Sequence, residues 1–157
     1  MPSLSLSSGV AKARDTKRTT LITDEPFYLA GGLGVWDDNV RDMNVSYLSS
    51  GTTYLTLQST ASDAYAAVEY TCIPYSTYKF TGVLTATVGG SGNGTVGFGV
   101  SAGNTAVDTT VATRNSSEET IEKTFTVGNQ TTFWISFIIP NSSTIQYWDS
   151  IKVEETG

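Results

Sequence analysis

The sequence predicts an all-β chain built as a sandwich of antiparallel strands. Three observations lead there. From residue 19 onward the apolar residues recur every second position, the spacing that puts one strand face on a core and the other in water. Segments rich in Gly, Asn and Ser interrupt this alternation at short intervals. The composition is 39% hydrophobic and only 15% charged, with 15 Gly, 8 Tyr and 6 Phe, which favours pleated strands and tight turns over helices. A chain of 157 residues holds about nine or ten such strands in one domain.

The elements follow in chain order. Residues 1–20 form an extended N-terminal arm, "SLSLSSGVAKARDTKR" at 3–18, with no aromatic residue. The domain occupies residues 21–157, and Pro26 bends the chain before "FYLAGGLGVW". In "TTYLTLQST", Leu55 and Leu57 point one way while Tyr54, Thr56 and Gln58 point the other. "ASDAYAAVEY" could hold one capped helical turn at Ser62 or Asp63, but a strand over 66–73 is the better expectation. In "TYKFTGVLTATV", Tyr78, Phe80, Leu84, Ala86 and Val88 share a face. "GGSGNG" then makes a hairpin turn into "GTVGFGVSAG", where Val96, Phe98 and Val100 alternate with glycines. "SAGNT" and "VGNQT" are connections. In "TTFWISFIIP", Phe133, Ile135, Phe137 and Ile139 face one side, and Trp134, Ser136 and Ile138 the other. That strand is apolar on both faces over part of its length, which makes it central. After the "PNSST" turn, "QYWDSIKVEE" puts Tyr147, Ile151 and Val153 on one face.

Three stretches resemble the galactose-binding-like jelly-roll carbohydrate-binding modules. "FYLAGGLGVW" is similar to that family's first strand, "CIPYSTYKFTGVL" to its tyrosine-bearing strand, and "IQYWDSIKVEE" to its last strand. The resemblance spans roughly residues 21–155. It implies a jelly-roll β-sandwich of two antiparallel sheets. It also implies structural calcium near the chain ends, held by Asp149 with Asp24, Asp37 or Asp38. No loop carries the dense acidic spacing of a dedicated calcium motif.

Charge and residue usage exclude several function classes. The net charge is −6, but residues 1–18 carry Lys12, Arg14, Lys17 and Arg18 against Asp15, so the remainder stands at −9. An acidic body repels nucleic acid and anionic membrane, so neither is expected as a partner. There is no His, which removes the commonest general base and every His-containing triad. Cys72 is the sole cysteine, so no intrachain disulfide forms. The carboxylate neighbours Asp37–Asp38 and Glu118–Glu119 read as solvated turn charges, because adjacent strand residues face opposite ways. "GGLG" and "GGSGNG" lack the Lys-Ser/Thr of a phosphate loop. No long apolar run suggests a membrane span or an export signal. Five Asn-x-Ser/Thr sequons, at Asn44, Asn93, Asn115, Asn129 and Asn141, match what so Ser-, Thr- and Asn-rich a chain holds by chance.

Two readings remain. A small, His-free, disulfide-free β-sandwich with a basic arm resembles a bacteriophage virion protein: a capsid decoration or fibre/tail appendage subunit. In that reading the arm docks through Leu4, Leu6, Lys12, Arg14, Lys17 and Arg18. The strand alternation of "SLSLS" adds to a neighbour's sheet edge, and the basic residues pair with acidic side chains in a homo-oligomer or on another virion protein. The alternative is a carbohydrate-binding module. Its exposed aromatics would stack on sugar rings, with Tyr54, Gln58, Trp134, Trp36 and Trp148 as the site and Tyr70 and Tyr75 as further candidates. Core packing is the competing role for Trp36, Trp134 and Trp148. Neither reading is enzymatic.

Overall fold

The computed structural model describes residues 20–26, 36, 39–49, 53–89, 94–112 and 118–157. These form eleven strands and no helix: β1 (Thr20–Pro26), β2 (Val40–Arg41), β3 (Met43–Ser49), β4 (Thr53–Ser59), β5 (Ala64–Thr71), β6 (Thr77–Val88), β7 (Gly94–Gly99), β8 (Asp108–Ala112), β9 (Glu119–Thr126), β10 (Thr132–Ile139) and β11 (Ile145–Glu155). One sheet runs β3-β4-β11-β6-β9, with β1 also on β11; the other runs β2-β5-β10-β7-β8. All pairings are antiparallel. The chain is thus an all-β jelly-roll sandwich. Of the arm expected over residues 1–20, Thr20 is described, at the start of β1; the residues expected to dock, from Leu4 to Arg18, lie outside the described residues, as does nearly all of "FYLAGGLGVW". The first strand among the described residues is β1, which ends at Pro26. The strand expected over 66–73 is β5, Ala64–Thr71, and residues 61–63 form the turn before it, with Asp63 at positive φ.

The core forms where the inward faces of the two sheets meet. β10 contributes Phe133, Ile135, Phe137 and Ile139, all buried, as its alternation requires. Two aromatic nodes organise it. Phe137 packs between Trp36 and Trp148, with ring centroids 4.7 and 4.4 Å away. Towards the other end, Phe125 stacks on Phe98 at 4.2 Å and meets Phe133 at 5.3 Å, and Tyr78 joins Phe133 at 5.3 Å. The Tyr78 hydroxyl accepts the Ile73 N–H at 2.8 Å, which satisfies the polar end of a buried ring.

The strict alternation expected for β6 and β11 fails at two register shifts in their pairing. Tyr147 pairs with Ala86 and Trp148 with Leu84, so Thr85 is an extra residue on β6. Beyond it, Ala86 and Val88 leave the core face and Thr87 enters it. On β11 the second shift lies between Trp148 and Ser150. Trp148, Ile151 and Val153 are therefore buried together, while Tyr147 turns outward. The expected grouping of Tyr147 with Ile151 and Val153 does not hold.

Candidate functional site

Trp36 and Trp148 are each 0% exposed. Their rings belong to the Phe137 node, and neither offers a face to a ligand. This corrects their place among the stacking candidates. Tyr70 is half-buried and packs against the core, with its ring 5.7 Å from Phe133.

The remaining candidates lie on opposite sides of the sandwich. Tyr54 and Gln58 belong to β4, in the sheet that contains β11. Leu55 and Leu57 take the core side of that strand, so Tyr54 and Gln58 look outward. There Tyr54 meets Tyr147 edge-on, with centroids 6.2 Å apart. Trp134 belongs to β10, in the other sheet, also opposite its strand's core residues. Tyr54 and Trp134 therefore cannot share one ligand.

The Trp134 face can be read row by row from the strand register. Trp134 is flanked by Glu69 of β5 and Gly99 of β7. One row further along β10, Ser136 lies between Ala67 and Gly97, and beyond that Ile138 lies between Tyr65 and Thr95. In the other direction Thr132 pairs with Thr71. Trp134 is half-buried and Glu69 exposed. An indole beside a carboxylate and hydroxyl-bearing threonines offers a stacking surface together with hydrogen-bonding groups. Tyr65 carries the Arg41 guanidinium 5.0 Å over its ring, and Arg41 Nη2 donates to the Asp63 carbonyl at 2.8 Å. That ring is already engaged by the protein.

The middle rows lie under the chain's own β7–β8 connection, residues 101–107. The Gly103 N–H donates to Ser136 Oγ at 2.9 Å, which supplies a partner for a hydroxyl that is otherwise fully buried. Gly103 has φ of 73° and lies so close to Tyr65 that a Cβ there would stand 2.7 Å from Cδ1. A side chain on Gly99 would strike the Asn104 carbonyl, and one on Gly97 would reach Thr105 Cγ2 at 2.8 Å. Asn104 Oδ1 accepts the Ala106 N–H at 2.8 Å, and Val107 donates to the Phe98 carbonyl at 2.9 Å. "SAGNT" reads in sequence as a simple turn. Its role as a cover becomes visible only once Gly97 and Gly99 are known to lie beneath it.

Asp149 sits at the second β11 irregularity, half-buried. Burial, reinforced by the charge of Glu118, pushes its carboxyl above the usual range. Among the described residues no group of three or more carboxylate or thiol ligands gathers to hold a metal ion. Asp24 lies on β1 opposite Lys152, while Asp37 and Asp38 lie outside the described residues. Cys72 is buried, which raises its thiol, and its Sγ–H donates to the Gln130 carbonyl at 3.4 Å. Tyr75 is 74% exposed in the β5–β6 turn at φ of 62°.

No family model matches the sequence, and no curated protein does. Solved structures do. A carbohydrate-binding module from Cellvibrio mixtus lichenase 5A, in complex with cellotriose, is 10% identical with a TM-score of 0.60, covering 88% of this chain and 100% of its own. A xylan-binding domain from Paenibacillus barcinonensis is 12% identical with a TM-score of 0.61, covering 90% and 97%. A family 35 carbohydrate-binding module from Clostridium thermocellum is 11% identical with a TM-score of 0.53, covering 87% and 97%. At such identities the similarity is one of fold, and the fold this chain shares is the jelly roll of carbohydrate-binding modules.

Proposed function

We propose that this chain is a non-catalytic carbohydrate-binding module that takes a neutral glycan on the Trp134 face. The observation that carries this reading is the half-exposed Trp134 indole, set between exposed Glu69 and side-chain-free Gly99, with Thr71 and Thr132 in the next row. A pyranose presents C–H groups to the ring and hydroxyls to its surroundings, and this row answers both. The net negative charge of the chain and the exposed Glu69 disfavour anionic polysaccharides. The jelly-roll neighbours, among them one bound to cellotriose and one described as xylan-binding, support the class of ligand.

Trp134→Ala is expected to weaken binding of cello- or xylo-oligosaccharides about tenfold or more, equivalent to about 1.4 kcal/mol. Tyr54→Ala, on the opposite face, is expected to leave it unchanged. Titration calorimetry reads both, and the reverse pattern would move the site to the Tyr54–Tyr147 face. The virion reading rests on residues outside the described structure, and no described residue favours it.

A further inference from the structure

We infer that the 101–107 connection is a wall that limits the Trp134 site to the ends of neutral glycan chains. This inference rests on the sugar-binding reading above. The row next to Trp134 along β10, roughly 7 Å away at strand spacing, is the Ser136 row. Residues 103–105 occupy it. Gly103 is hydrogen-bonded to Ser136 Oγ, Thr105 lies over Gly97, and Asn104 lies over Gly99, the cross-strand partner of Trp134 itself.

A straight chain stacked on the indole therefore meets protein both along β10 towards Ser136 and across the sheet towards β7. Its way out runs over Thr132 and Thr71, or over Glu69, on whose side away from β10 no described strand pairs with β5; among the described residues β2 pairs with β5 at Tyr65 and Ala66. One end of the glycan must stop at Trp134. An internal stretch of a long straight chain, which needs both directions open, does not fit.

The wall is built into the fold. Its base is closed by the Val107-to-Phe98 bond, and Asn104 Oδ1 ties its turn to Ala106. Gly97 and Gly99 beneath it carry no Cβ, which would otherwise strike Thr105 and Asn104. Gly97 and Gly99, costly in a strand interior on conformational grounds, have their reason in this close approach.

The test uses the full chain with soluble xylan and mixed-linkage β-glucan fractions of graded length, together with xylo- and cello-oligosaccharides. Analytical ultracentrifugation counts protein bound per polymer chain at saturation. The expected result is a number that stays constant as the chains lengthen. A number rising in proportion to length would overturn the wall and leave sugar binding standing. Absence of binding to every oligosaccharide and polymer tested would overturn the sugar reading and this inference with it. Replacing residues 101–106 by an Asn-Gly turn is expected to convert the count to one that grows with length, provided far-UV and thermal scans show a folded sandwich. A folded variant whose count stays constant would overturn the assignment. Should the variant fail to fold, the length series on the unaltered chain decides alone.

Discussion

Trp134 and Trp148 both stand in alternating strands, yet one is half-exposed and the other fully buried. The difference comes from neighbours two or three residues away. Trp134 keeps the parity of an uninterrupted β10, whereas the β11 irregularities turn Trp148 inward and Tyr147 outward. Asp149 pays for its place in that irregularity. Its folded carboxyl holds a proton more tightly than an unfolded one does, so its contribution favours the fold at low pH. That contribution is lost as pH rises through the raised value. Asp149→Asn should therefore raise the melting temperature at pH 7 and leave it nearly unchanged below the ordinary carboxylate range. A lower melting temperature at pH 7 would show that the ionised carboxylate is instead being used, as it would be by a bound cation. Gly82 makes a separate residue-scale case. A Cβ there would stand 2.7 Å from both Phe80 Cζ and Trp148 Cζ3. Gly82→Ala should cost about 1–3 kcal/mol in denaturant unfolding through overpacking.

At the scale of elements, the two sheets meet at the edge strands β8 and β9. Lys123 Nζ of β9 lies 3.0 Å from Asp108 Oδ1 of β8. Partial burial works to raise the Asp108 carboxyl, but the Lys123 ammonium and the Thr109 N–H outweigh it and hold it below the usual range. A lowered folded value contributes stability above the ordinary carboxylate range and loses it as pH falls through the lowered value. Both side chains are about one-third exposed, so solvent screens the pair. Asp108→Asn should cost no more than about 1 kcal/mol at pH 7. The difference from the unaltered chain should shrink in high salt and shrink again as pH falls through the lowered value, as thermal scans would show. A difference independent of both salt and pH would assign the effect to packing instead of charge. The β7–β8 connection belongs to this scale too, since it converts an open sheet face into a one-ended one.

At the scale of the molecule, the two aromatic nodes hold the sheets together, and Phe137 is the centre of one. Phe137→Ala removes the ring between Trp36 and Trp148 and should cost about 3–5 kcal/mol. That loss could unfold the chain at moderate temperature, and chemical denaturation at low temperature would measure it. A cost below about 1 kcal/mol would mean the two tryptophans close the gap, with their rings less constrained than the close packing implies.

Much of the fold was legible in local chemistry. The period-two runs located β4, β6, β7, β10 and β11, and the Gly- and Asn-rich turns separated them, because a strand's alternation is set by its own backbone. The candidate site was legible only in its parts. Trp134 could be read as outward-facing from β10 alone. Its partner Glu69 comes from a strand more than sixty residues earlier, and the wall over Gly97 and Gly99 exists only once β7 and β10 are paired. The β11 irregularities were hidden for the same reason: an extra residue is defined by the strand it fails to match. Sequence determined which residues alternate, where the chain turns, and that these 157 residues hold no His and a single Cys, so no His-containing triad and no intrachain disulfide form within them. Tertiary structure decided which aromatics face out, that Tyr54 and Trp134 look in opposite directions, and what covers the sheet. Those depend on register between distant segments, which neither propensity nor periodicity encodes.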